Sequence, residues 1–348
     1  MSVSLPLAAR RVFRLSLTIS IALAISYAMG NSLPYIAPLF AFLLGAAPKP
    51  PMGPKGLVGL IVALSLMLGT GLLLIPLLTY YPLTALVIVL LGLFLANYLS
   101  LNRGKGPVGL LLIIGITLIS ALGLMGPSLA TMIISALLLN IAIAVVCQWL
   151  VYPWFPEDCD PSAEPPPPPP LQSSWLALRA TLVVFPSYLL VLYNPTAYAP
   201  IIMKSVALGQ QANETAARHA GRELVGSTCL AALIAMLFWF CLKLAPNLYM
   251  FTLWTLLFSG YLVAKFYGVL ASAFGPTFWQ NVLVTLFILV GPAVEDTANG
   301  KDPYAASAVR IGLFIGVTLY AWMMLVFLEG LRRRQEMKSQ SAMQMEAG

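Results

Sequence analysis

Charge is scarce in this chain. Only 9% of its 348 residues are Asp, Glu, Lys or Arg, where a soluble domain carries about 25%. A soluble chain of this length would fold into about two domains with charged surfaces, and so few charges cannot cover them. Histidine occurs once, at His219. No CxxC pair is present, which argues against a metal site of the usual ligand spacing. Cys147, Cys229 and Cys241 lie in apolar runs and Cys159 in a polar stretch, as expected of reduced thiols. Walker A and GxSxG motifs are missing, so neither an enzyme nor a self-contained ATP-driven pump is expected. No cofactor and no nucleic-acid partner are expected either. What the chain has instead is apolar side chains, at 60% of its residues. A lipid bilayer solvates such side chains directly, and that makes it the expected surrounding.

A spanning helix needs about 20 mainly apolar residues. Twelve stretches qualify as candidates: 13–29, 33–47, 57–78, 82–100, 107–124, 127–152, 174–193, 197–209, 222–243, 247–270, 277–292 and 304–329. Their runs are continuous rather than alternating, which speaks against a β-barrel. Arg10, Arg11 and Arg14 precede the first run as in a signal peptide, but no small-residue cleavage site clearly follows, so a retained first helix is expected. With both termini in the cytoplasm and every run crossing, the basic residues sort to one side. Arg10, Arg11, Arg14, Lys49, Lys55, Arg103, Lys105, Arg218, Arg222, Lys265, Arg332, Arg333, Arg334 and Lys338 fall inside. Lys243 and Lys301 fall outside, an asymmetry that matches the positive-inside rule. The expected place is a membrane crossed many times, with both termini in the cytoplasm.

One long hydrophilic interruption divides the runs six and six. It carries Glu157, Asp158, Asp160 and Glu164, then an unbroken proline run from Pro165 to Pro170. Such a run adopts an extended polyproline II spacer of about 19 Å, at about 3.1 Å per residue. The halves on either side align. Asn31 to Tyr35 recurs as Asn194 to Tyr198, Pro38 as Pro200, and Gly45 as Gly209. Lys55 to Gly59 recurs as Arg222 to Gly226, Ala96 as Ala264, Gly106–Pro107 as Gly275–Pro276, and Asn140 as Arg310. An even number of runs per half gives both halves the same orientation, hence parallel repeats about an axis along the membrane normal. The expected fold is therefore an all-α integral membrane protein of about twelve transmembrane helices in two parallel six-helix repeats. Residues 1–153 form the first, 154–173 the cytoplasmic linker, 174–331 the second, and 332–348 a cytoplasmic tail.

The second run of each half, 33–47 and 197–209, is short and opens on prolines: Pro34 and Pro38, Pro195 and Pro200. Short, proline-bearing segments at matching repeat positions point to a transporter site. Each half also opens with a basic residue near the start of its first helix, Arg14 or Arg179. The last run carries Ala305-Ala-Ser-Ala-Val-Arg310-Ile-Gly312. Across the membrane spans of both halves this pattern resembles the fusaric acid resistance family (FUSC), the aromatic acid exporters. The chain departs from typical members in having a short linker and tail where they carry sizeable cytoplasmic domains. The resemblance implies an inner-membrane transporter that exports organic anions, aromatic carboxylates foremost, with a periplasmic adaptor of the membrane-fusion type. Homo-oligomerisation is compatible with it.

Ionisable groups inside spans are costly and mark function by default. Lys204 and Arg310 qualify. Arg179 sits near a helix end, where it can snorkel to water. No carboxylate falls in the middle of a span. A cationic path suits an anion, and a guanidinium binds carboxylate in a bidentate fork. The candidate substrate-binding set is Arg310, Lys204, Tyr198, Tyr35, Asn194 and Asn31, with the tyrosines placed to stack an aromatic ring. The alternative for Arg310 is a structural pair with Glu295, Asp296 or Asp302. A passive anion channel and a non-transporting accessory subunit of a membrane complex are the competing functions.

Overall fold

The computed structural model describes residues 6–102, 106–157, 174–195, 202, 205 and 214–298. Within 308–330 it describes all but 314, 317, 318, 321, 325 and 329. Among these residues the regular structure is helical throughout, with no strand. We number the helices α1 (Leu7–Ala28), α2 (Ile36–Gly45), α3 (Pro54–Tyr80), α4 (Pro82–Asn102), α5 (Gly106–Ile114), α6 (Ser120–Met125), α7 (Pro127–Val151), α8 (Ser174–Tyr193), α9 (Glu214–Leu244), α10 (Leu248–Phe266) and α11 (Pro276–Ala298).

Apolar composition makes these helices and proline sets several of their starts. Without water to bond to, a backbone in lipid must pair its own N–H and C=O groups, and a helix does so locally. Pro54, Pro82, Pro127 and Pro276 each open a helix, where their missing N–H removes nothing and their fixed φ is already helical. Nine helical stretches among the described residues are long and apolar enough to cross a membrane, counting α5 and α6 as one stretch from Val108 to Met125. α2 is shorter, and of the expected segment 197–209 only Ile202 and Ser205 are described, both helical. The expected run 107–124 is not uniform: between α5 and α6 the backbone loosens into a π-helical turn, Gly115–Ile119. The helix behind 222–243 begins earlier than expected, at Glu214.

The chain forms two compact units, and each mixes both halves of the sequence. Unit 1 holds residues 1–69, 128–166 and 226–312, and unit 2 holds 70–127, 167–225 and 313–348. In unit 1, α1 packs on α10 and α2, and α11 packs on α10 and α2. Its core joins Leu15, Ile19, Leu23 and Phe42 to Phe238, Phe251, Leu262, Trp279, Val282 and Leu286. Small residues allow close approach here, as is usual where lipid supplies no hydrophobic drive between helices. At Gly291 of α11 a Cβ would lie 2.2 Å from Cβ and Cγ of Tyr35, so no side chain fits there.

In unit 2, α4 packs on α5 and α8 around Val89, Leu93, Ala96, Ile113, Val184 and Tyr188. The π-helical turn meets α3 at Gly71, where a Cβ would stand 2.1 Å from the Gly115 carbonyl oxygen. Many large apolar side chains of α3 and α4 point away from any packing, with Leu73 78% and Leu83 80% exposed. These are the faces that lipid covers.

Candidate functional site

Asn31 and Tyr35 flank the short turn between α1 and α2, in unit 1. That turn needs support, because Gly30 and Leu33 both take positive φ (63° and 56°), a conformation a branched side chain rarely adopts. Asn140, fully buried in α7, supplies it. Its Nδ2 donates to the carbonyls of Ser32 and Leu33 (both 3.3 Å) and Ala136 (2.8 Å). Its Oδ1 accepts from Ser26 Oγ at 2.7 Å, and Asn31 Nδ2 reaches the same Oγ at 3.4 Å. Asn31 is thus part of the frame that holds α2 in place.

Arg310 pairs with Asp296 of α11, Nη2 to Oδ2 at 2.7 Å, with a quarter of its side chain exposed. Of the three acids named as alternatives in the sequence, Asp296 pairs with it, and Asp302 lies outside the described residues. Nη1 of Arg310 is buried without a hydrogen-bond partner. Tyr35 lies within electrostatic reach of both Glu295 and Arg310, and Tyr27 within reach of Glu295 and Tyr35. So the structure brings Arg310, Tyr35 and two acids together at the end of unit 1 where α1 finishes. Asn194 belongs to unit 2, its backbone N–H donating to Leu190 O at 3.2 Å. Lys204 and Tyr198 lie outside the described residues.

A cavity of about 590 Å³ opens at this same end of unit 1. Tyr27, Trp239, Lys243, Asn247, Phe251 and Thr297 line it with a few aliphatic residues. Sequence reasoning did not select them. Trp239 and Lys243 stand one turn apart on one face of α9, the only local signal that could have found them. Tyr27 meets Phe251 edge to face at 5.1 Å, and Phe251 meets Phe238 likewise at 5.7 Å, so the wall is a fixed aromatic cluster. Two donors of the lining, Tyr27 Oη and Trp239 Nε1, are buried with no hydrogen-bond partner. A buried donor left unpaired costs about 1–3 kcal/mol, and a ligand acceptor would remove that cost. Asn247 Oδ1 is committed, accepting from Met250 N at 2.8 Å to cap α10.

The opposite end of unit 1, where α1 starts, carries a buried ion cluster. Glu157, just past α7, accepts from Arg11 Nε at 2.6 Å and also contacts Arg11 Nη2. Arg14 Nη2 stands 2.7 Å from its other oxygen, without the alignment of a hydrogen bond. Burial pushes the Glu157 carboxyl up, but the contacts and charges of Arg11 and Arg14 outweigh it and hold the group below its ordinary value. Arg14 Nη1 also donates to Phe155 O at 3.3 Å, and Phe13 stacks on Phe155. Among the described residues no group of three metal-ligating side chains occurs.

Fold and site together define a multi-pass, all-α membrane protein. Residues 11–151 match the model of a family described as a protein of unknown function, DUF2955. No curated protein and no solved structure matches the chain.

Proposed function

We propose that this protein is an inner-membrane transporter that exports small organic anions, aromatic carboxylates in particular, and hands them to a periplasmic adaptor. The observation that carries the reading is the 590 Å³ cavity, with its aromatic wall, its lysine and its two buried unpaired donors. An aromatic carboxylate matches each part. Its ring packs against Tyr27, Trp239 and Phe251. Its oxygens accept from Tyr27 Oη and Trp239 Nε1, and Lys243 supplies the charge that makes those bonds strong. Arg310, paired with Asp296, stands beside Tyr35 in the same unit.

Twelve helices in two parallel repeats underlie this reading, and the make-up of the units supports it. Unit 1 takes the first, second and sixth spans of the first half with the fourth and fifth of the second half. Unit 2 takes the same set with the halves exchanged, and the unit boundaries fall inside the third span of each half, at Gly69/Thr70 and Val225/Gly226. A duplicated chain produces that exchange naturally. The termini and the 154–173 linker are cytoplasmic in this arrangement, which puts the Trp239 cavity at the periplasmic end, where an adaptor docks.

Binding is tested on the purified full chain with benzoate. Trp239 lies in the cavity wall, so benzoate should change its emission, and Trp239→Phe should abolish the signal. Tyr27→Phe removes one donor, which at about 0.5–1.5 kcal/mol weakens affinity roughly 2- to 12-fold. Equal benzoate affinity in wild type, Tyr27→Phe and Lys243→Gln would refute the site. Reporter fusions at Pro127 and Lys301 should read periplasmic and one at Pro165 cytoplasmic; a periplasmic Pro165 overturns the six-plus-six arrangement.

A further inference from the structure

A second cavity, of about 230 Å³, lies at the end of unit 1 where α1 starts. Arg14, Thr18, Lys49, Gln148 and Tyr152 supply its polar lining, and Pro50, Pro51 and Met52 part of its apolar wall. Arg14 is the residue that makes it more than a hollow. Its side chain is 8% exposed, it lines the cavity, and it also faces Glu157. Two guanidinium groups, Arg11 and Arg14, share the one Glu157 carboxylate. Arg11 takes the aligned hydrogen bond. Arg14 Nη2 and Glu157 Oε2 are close but unaligned, and neither atom makes a hydrogen bond elsewhere. The guanidinium is thus charge-paired yet keeps donor capacity, and a buried cation in that state favours an anion that meets it squarely.

We propose that this cavity is a second carboxylate site, in which a small organic acid binds Arg14 and Lys49 in competition with Glu157. The built-in carboxylate would be the resting partner and the incoming one its replacement. The position of Glu157 suits that role. It sits at the root of the 158–173 segment, and its neighbours are anchored with it: Arg10 Nη1 donates to Pro156 O and Arg14 Nη1 to Phe155 O, both at 3.3 Å. Tyr152, whose ring lies 5.7 Å from the Arg14 guanidinium, forms a wall against which an aromatic acid can pack.

The proposal concerns binding only, so it stands or falls apart from export. Labelled benzoate is bound to the full-length chain in lipid nanodiscs, in a Lys243→Gln background that disables the cavity at the other end. Benzamide, its neutral counterpart, serves as competitor. Glu157→Gln removes the internal competitor and should tighten benzoate binding about tenfold. Arg14→Gln should weaken it more than tenfold, and Lys49→Gln, at an exposed position, several-fold. Benzamide should fail to compete. An unchanged or weaker affinity in folded Glu157→Gln overturns the proposal and leaves the cluster a structural ion pair. So does full affinity in Lys49→Gln, which decides the matter even where Arg14→Gln or Glu157→Gln does not fold.

Discussion

Consider removal of the Arg310–Asp296 pair. Arg310 is 25% and Asp296 13% exposed in their side chains, with 2.7 Å between Nη2 and Oδ2. Exposed pairs contribute at most about 1 kcal/mol, while breaking a fully buried one costs about 3–5. The intermediate burial here puts Arg310→Ala at about 2 kcal/mol of destabilisation by the same reasoning. Much of that cost is the carboxylate left behind, since Asp296 stands beside Glu295 and the two repel. Removing both partners should therefore restore part of the loss. In a double-mutant cycle with Arg310→Ala and Asp296→Ala, a coupling of about 1 kcal/mol or more is expected, beyond the additivity error of about 0.5 kcal/mol. Unfolding in mixed detergent micelles, followed by tryptophan fluorescence, supplies the four stabilities. Additive single mutants would refute the pair as a stabilising element. Benzoate affinity measured on the same four proteins then shows what Arg310 does beyond holding Asp296.

Other perturbations have equally definite outcomes. The Glu157 carboxyl is held below its ordinary value of 4.5, so its contribution to stability is complete above that value and is lost as pH falls through its lowered folded value; Glu157→Gln should erase this acid limb in a pH series of melting temperatures, and an unchanged limb would contradict the cluster. Gly291→Ala forces a methyl to within 2.2 Å of Tyr35, an overpacking of about 1–3 kcal/mol or more that should lower the yield of folded protein; normal yield would contradict the close approach. Asn140→Leu leaves the Ser32 and Leu33 carbonyls unsupported, and trypsin or hydrogen exchange should report a looser 29–35 turn.

Nine of the twelve expected spans are matched among the described residues, and they were legible because lipid imposes a blunt requirement, length and apolarity, which needs no knowledge of contacts. The helices at Pro82 and Pro127 start where the apolar runs 82–100 and 127–152 begin. The π-helical turn was not legible, because Gly115 looks like any other glycine of an apolar run until Gly71 is seen packed against its carbonyl. Arg310 stood out as a charge in a span, and Asp296 was one of three partners within reach. Glu157 read as one of four linker acids; its contact with Arg11 joins residues 146 apart, a distance that periodicity cannot bridge. The aromatic cavity was hidden for the same reason. Tyr27 and Trp239 lie in different helices, and tyrosine and tryptophan are common at membrane interfaces for reasons unrelated to ligands.

The central claim is that the chain moves aromatic carboxylates through a path that includes the Trp239 cavity. Proteoliposomes containing the purified protein, given labelled benzoate and an imposed proton gradient, test it directly. Benzoate accumulation beyond that of protein-free liposomes under the same gradient is expected, lost in Lys243→Gln and Trp239→Phe at equal protein levels. Benzoate flux that only dissipates its own gradient would make the protein a channel, and no flux from correctly folded protein would contradict the transport reading outright.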